Sequence, residues 1–142
     1  MSPLENRAWL MLWTMCPIYL VYFAIQIAAP PWLSSMLQRI ACLAVAAGAH
    51  GVISVVGLLV LLARQRGQGL LADERDRAIE AHATRIAYYV LMGGAVVVGM
   101  VMPFSKGGWS LVNAALLSIV LAEALRNLLI VRGYRGRPAL AQ

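Results

Sequence analysis

The sequence predicts an all-α protein, a bundle of four transmembrane helices arranged as two antiparallel hairpins with both termini cytoplasmic. Three observations predict it. Of 142 residues, 61% are hydrophobic and only 13% charged, about half the charge of a soluble domain. The apolar residues gather into four runs of roughly 20, each long enough to cross about 30 Å of hydrocarbon as a helix. The basic residues are unevenly divided. Arg64, Arg66, Arg75, Arg77 and Arg85 lie in or beside the middle connection. Arg7 precedes the first run, and Arg126, Arg132, Arg135 and Arg137 lie at or after the end of the last. The other two turns carry only Arg39 and Lys106. This bias places the termini and the middle connection in the cytoplasm.

The runs fall at about 8–29, 40–63, 85–102 and 111–131, so residues 1–142 form one integral membrane domain with no separate soluble part. A short polar lead precedes the first run. Pro17 removes a backbone donor inside that run and is expected to kink it. Pro30-Pro31-Trp32 ends it, with Trp32 as an interface anchor, and residues 33–39 read as a surface turn. The second run spaces Ala44 with Gly48, and Ala47 with Gly51, four apart. Ala95 with Gly99, and the longer series Ala114, Ser118 and Ala122, repeat the pattern. Such pairs let helix backbones approach closely, either within one bundle or in a homo-oligomer. Cys16 lies nearer the cytoplasmic side and Cys42 near the opposite side, so both read as unpaired buried residues.

The third helix is expected to begin in water and end in lipid. Asp73 is a candidate N-cap, and Asp73, Glu74 and Asp76 sit where the helix dipole favours negative charge. Asp73 with Arg77, and Arg77 with Glu80, have the spacing of helical ion pairs. An uninterrupted pattern runs to Met102, with Arg85, Tyr88 and Tyr89 at the membrane entrance. Residues 64–84 thus form a cytoplasmic collar, in which Asp73, Glu74, Arg75, Arg77, Glu80 and Arg85 are the candidate interaction residues. The turn before the fourth run is short, and residues 133–142 form a tail.

Glu123 lies in the fourth run, and an ionisable group there is costly unless it meets a partner or water. Arg126 and Asn127 follow on the same face. Three readings stand: an internal pair with Arg126, a proton-coupled or cation site, and a lock to Arg85 or Arg75 on the third helix. His50, in the second run, reads as a hydrogen-bonded packing residue or a ligand. Haem would require a second axial ligand at matching depth, which His82 does not supply. Met92, Met100 and Met102 suit flexible packing better than a metal stripe. No catalytic set is present in the sequence, and Gly67 and Gly69 alone make no phosphate loop. No enzyme activity, metal or cofactor is expected. The net charge of +6 is explained by topology and anionic lipid rather than by direct nucleic-acid binding.

Asp73-Glu74-Arg75, then Ile79, then Ala83, Arg85, Ala87 and Tyr88, resemble the signature of a bacterial and archaeal family of small four-span membrane proteins, catalogued only as a domain of unknown function. Its members are often found beside small helix-turn-helix regulators. The resemblance implies a multi-pass protein of the bacterial inner membrane, acting as a regulatory or immunity-type partner. The leading expectation is a non-enzymatic protein whose collar engages a cytoplasmic protein or anionic lipid. The alternative is a small oligomeric proton-coupled transporter or channel using Glu123 and His50. A haem or quinone protein is a third reading.

Overall fold

The computed structural model describes residues 3–28, 30–64, 74–105 and 107–135. The expected linker with Asp73, Lys106 and most of the tail lie outside the described residues. Four long helices carry the fold: α1 (Pro3–Ala28), α2 (Met36–Arg64), α3 (Glu74–Val96) and α4 (Trp109–Arg135). All are long and apolar enough to cross a membrane, α3 together with its continuation to Phe104.

Each helix boundary has a local cause. The polar lead is the first turn of α1, not a separate segment. Pro3 needs no backbone donor there, and Glu5 in that turn meets the positive end of the helix. Leu4 packs on a core of Ala8, Ala83, Ile130 and Val131. Pro17 lies inside α1, which continues through it to Ala28.

The turn expected at 33–39 is shorter than that range, because α2 already begins at Met36. The cause is a capping box. The Ser35 hydroxyl accepts from the Gln38 backbone N–H at 3.3 Å, and the Gln38 side chain accepts from the Ser35 N–H at 3.0 Å.

The uninterrupted third helix is also corrected. It widens to a π-helical turn at Val97–Val101 and tightens to a 3-10 turn at Met102–Phe104. Pro103 offers no N–H to the Gly99 carbonyl and its ring crowds it, so the regular ladder cannot continue. Gly108, with φ of 58°, then turns the chain into α4.

The helices stand in the packing order α2, α1, α4, α3. α4 packs on α3 and on α1, and α1 packs on α2, with little contact between α2 and α3 among the described residues. Contacts on α1 and α4 run in opposite senses. Gln26 meets Trp109, Tyr22 meets Asn113, and Trp9 meets Arg135. On α3 and α4, Gly94 meets Ser118 and Thr84 meets Arg126, while Ile79 meets Gly133.

The small-residue stripes divide into used and unused. Ser118 and the buried Ala122 lie in the α3–α4 seam, as expected for α4. Gly48, Gly51 and Gly99 face open space, so the stripe of α2 packs on no other helix among the described residues. Cys16 and Cys42 are both free, and Cys16 is exposed rather than buried. Close approach instead occurs at glycines that the spacing did not single out. A Cβ on Gly94 would stand 2.5 Å from the Ser118 Cβ, at the rigid base of that side chain. One on Gly57 would meet only the flexible end of Leu10, at 2.7 Å.

These environments order three substitutions. Gly94→Val is expected to cost about 1–3 kcal/mol through overpacking. Gly57→Val should cost less, and Gly48→Val should stay within about 0.5 kcal/mol. Thermal unfolding of the purified variants in detergent measures this order, and a Gly48→Val loss as large as that of Gly94→Val would contradict it.

Candidate functional site

Both described chain ends and the start of α3 gather at one end of the molecule. Ala8 of α1, Ala83 of α3, and Ile130 and Val131 of α4 form the core there, with Ala83 and Ile130 each 1% exposed. Small Ala side chains on α1 and α3 bring both helices close to α4. The charged side chains are arranged around that core.

Arg126 organises them. Its guanidinium donates to Glu80 at 2.8 Å, to Glu123 at 3.1 Å and to the Thr84 hydroxyl at 3.2 Å. Asn127, which is buried, donates to the Glu123 carboxylate at 3.2 Å and to the Glu123 backbone carbonyl at 2.8 Å. One cation is thus shared by two carboxylates, and the fork of donors fixes its direction. The guanidinium side chain is 28% exposed, Glu80 46% and Glu123 43%. A cavity of about 60 Å3 adjoins the cluster, lined also by Arg7, Met11 and Ile130.

The internal Glu123–Arg126 pair expected from spacing is present. The lock to α3 is corrected. Glu123 meets neither Arg85 nor Arg75. The link crosses from Arg126 to Glu80 and Thr84 instead. The reason is reach: Glu123 is short and held by its own helix, while Arg126 extends to the neighbouring one. The expected Arg77–Glu80 pair is absent because Glu80 is committed to Arg126. Arg75 lies over the Tyr134 ring at 6.0 Å, and Asp76 accepts a hydrogen bond from the Tyr134 hydroxyl. Glu74, Arg75, Arg77, His82 and Arg85 are exposed.

His50 is not part of this cluster. It lies on α2 with its ring edge against Tyr19, the centroids 5.5 Å apart. Its Nε2 is buried without a hydrogen-bond partner among the described residues, and the ring packs by its contact with Tyr19. His50 and His82 lie on helices with little mutual contact. Among the described residues no group of three His, Cys, Asp or Glu side chains is placed to hold a metal ion.

Sequence reasoning missed Thr84 and the Asp76–Tyr134 bond in this cluster. At the far end it missed Tyr22 donating to Asn113 at 2.8 Å and Trp109 donating to Gln26 at 3.2 Å. The signal was available, since neutral polar residues within apolar runs commonly bond across helices.

The fold and the site define a class: an all-helical, multi-pass protein whose four helices are long and apolar enough to cross a membrane, with a hydrogen-bonded ion cluster at one end. Comparison of the chain with family models, curated proteins and solved structures finds no match.

Removing Arg126 leaves two carboxylates without their shared cation. Arg126→Gln is therefore expected to destabilise by about 1–2 kcal/mol, whereas Glu80→Gln and Glu123→Gln should each cost less than about 1 kcal/mol because both are partly exposed. Unfolding of the three variants in detergent checks this. Equal losses from all three would show that the guanidinium is not the centre of the cluster.

Proposed function

We propose that this chain is a non-enzymatic inner-membrane protein, arranged as two antiparallel hairpins with both termini cytoplasmic, that presents its collar to a cytoplasmic protein partner. The carrying observation is the division of charge on α3. Glu80 is tied to Arg126, while Arg75, Arg77, His82 and Arg85 stand exposed on the same helix. A helix fixed on one side by the fold and cationic on the other suits docking of an acidic surface, where charge sets specificity and encounter rate. The unequal distribution of Arg between the turns supports the orientation. The resemblance of the segment from Asp73 to Tyr88 supports a regulatory or immunity-type role.

The test is photo-crosslinking in cells from a probe at the exposed position of Ala81. Wild-type protein should give a discrete adduct, and Arg75→Glu with Arg77→Glu should abolish it while leaving the protein in the membrane. An adduct that survives the double reversal, or no adduct from the wild type, would refute the proposal.

A second reading, proton-coupled transport through Glu123, draws on the partial exposure of its carboxylate and the cavity beside it. The bonds to Arg126 and Asn127 count against it, because they already satisfy that carboxylate within the chain. Proton flux into liposomes separates the two. No flux is expected from wild type or Glu123→Gln. A wild-type flux abolished by the substitution would replace the partner reading with the transport one.

A further inference from the structure

Along one side of α3, Arg77, Glu80, Ala81, Thr84, Arg85 and Tyr88 follow the spacing of a single helical face. With Arg126 and Tyr89 they line an open groove of about 680 Å3. A second groove, of about 340 Å3, shares Thr84, Tyr88 and Arg126 with the first and continues past Glu123 along Ala87, Leu91, Ile119 and Ala122. The two therefore form one channel in the surface between α3 and α4, and its chemistry changes along its length. Arg77 and Arg85 come first, then the Tyr88 ring, then an almost wholly apolar stretch.

We propose that this channel is a binding site for one anionic phospholipid. The phosphate lies between Arg77 and Arg85, the glycerol region against Thr84 and Tyr88, and an acyl chain against Leu91, Ile119 and Ala122. Three features select this occupant. First, Arg77 and Arg85 have no ion-pair partner among the described residues, whereas Glu80 and Glu123, the two carboxylates along the channel, are both bonded to Arg126. Three guanidinium groups thus line the channel against two carboxylates, and the two cations without an ion pair stand together on α3. Second, the cations and the apolar stretch are joined through Tyr88, which suits an amphipathic ligand and not a free phosphate. Third, cationic clefts between helices at the inner leaflet are where anionic headgroups are recognised. The site rests on the cytoplasmic placement proposed above but not on any protein partner.

The experiment is native mass spectrometry of the full chain released from detergent, with phosphatidylglycerol and phosphatidylcholine of identical acyl chains in competition. Wild type should retain the anionic lipid at one copy per chain, favoured about tenfold over the zwitterionic one. The variant Arg77→Gln with Arg85→Gln should bring the two close to parity. Arg64→Gln with Arg132→Gln removes the same charge from exposed positions outside the channel and should leave the preference unchanged. An equal loss in that control would reduce the effect to general electrostatics and overturn the site. Equal retention of both lipids by wild type would also overturn it. Displacement of the lipid by equimolar glycerophosphate would assign the site to a soluble phosphate instead. Arg75 lies outside the channel lining, so Arg75→Glu alone, with the crosslinking probe moved to His82, tests the protein partner without touching the lipid site, and either proposal can fail without the other.

Discussion

Among the described residues helix α3 packs almost entirely on α4, and the seam between them is the constraint on which the charged end depends. The seam closes at three levels by three different interactions. Towards one end the Gly94 backbone lies against Ser118, an approach that only a residue without a Cβ permits. In the middle Arg126 reaches Thr84 and Glu80. At the outer end Ile79 lies on Gly133 and Tyr134 donates to Asp76. Between lipid-facing helices apolar burial supplies little drive, so close packing and hydrogen bonds carry the association. The direction in which the exposed cations of α3 point follows from this seam.

Helix composition, number and approximate limits were legible because they depend on local chemistry. Runs of apolar residues and the breaks at Pro30 and Pro103 are visible without any tertiary information. The internal Glu123–Arg126 pair was legible for the same reason, since a three-residue spacing fixes it within one helix. The capping box at Ser35 and Gln38 was equally readable and marks the true start of α2. What spacing could not supply was the rotation of each helix about its axis. Four apolar faces look alike in a membrane sequence, so the choice of Glu80 over Arg85 as the cross-helix partner was hidden. The same ambiguity explains why Gly48 and Gly51 resembled packing glycines, while Gly57, Gly94 and Gly133 were the ones in contact.

The cluster at Arg126 also changes the weight given to Glu123. A lone carboxylate in an apolar run is unfavourable in its charged form, and proton exchange is one remedy. A bonded guanidinium and the Asn127 amide are another, and they need no function beyond folding. The second remedy leaves Arg77 and Arg85 of α3 among the charged groups without an ion pair in the described residues. Function is therefore better sought on the exposed side of α3 than within the apolar length of α4.

The exposure of α2 follows from the same solvent argument. Ser54 is the single buried residue among those described in α2, although the apolar window of this helix is the most hydrophobic of the four. In water such a helix would collapse onto its neighbours. In hydrocarbon its side chains lose nothing by facing lipid, so a single contact face against α1 suffices. That face is specific. The Thr14 and Ser54 hydroxyls lie 3.4 Å apart, Gly57 receives Leu10, and Tyr19 meets the edge of His50. The open row of helices is thus the outcome expected when polar and close-packed contacts, rather than apolar burial, decide which faces meet. It leaves the α3–α4 channel open along its full length to whatever lies in the surrounding leaflet.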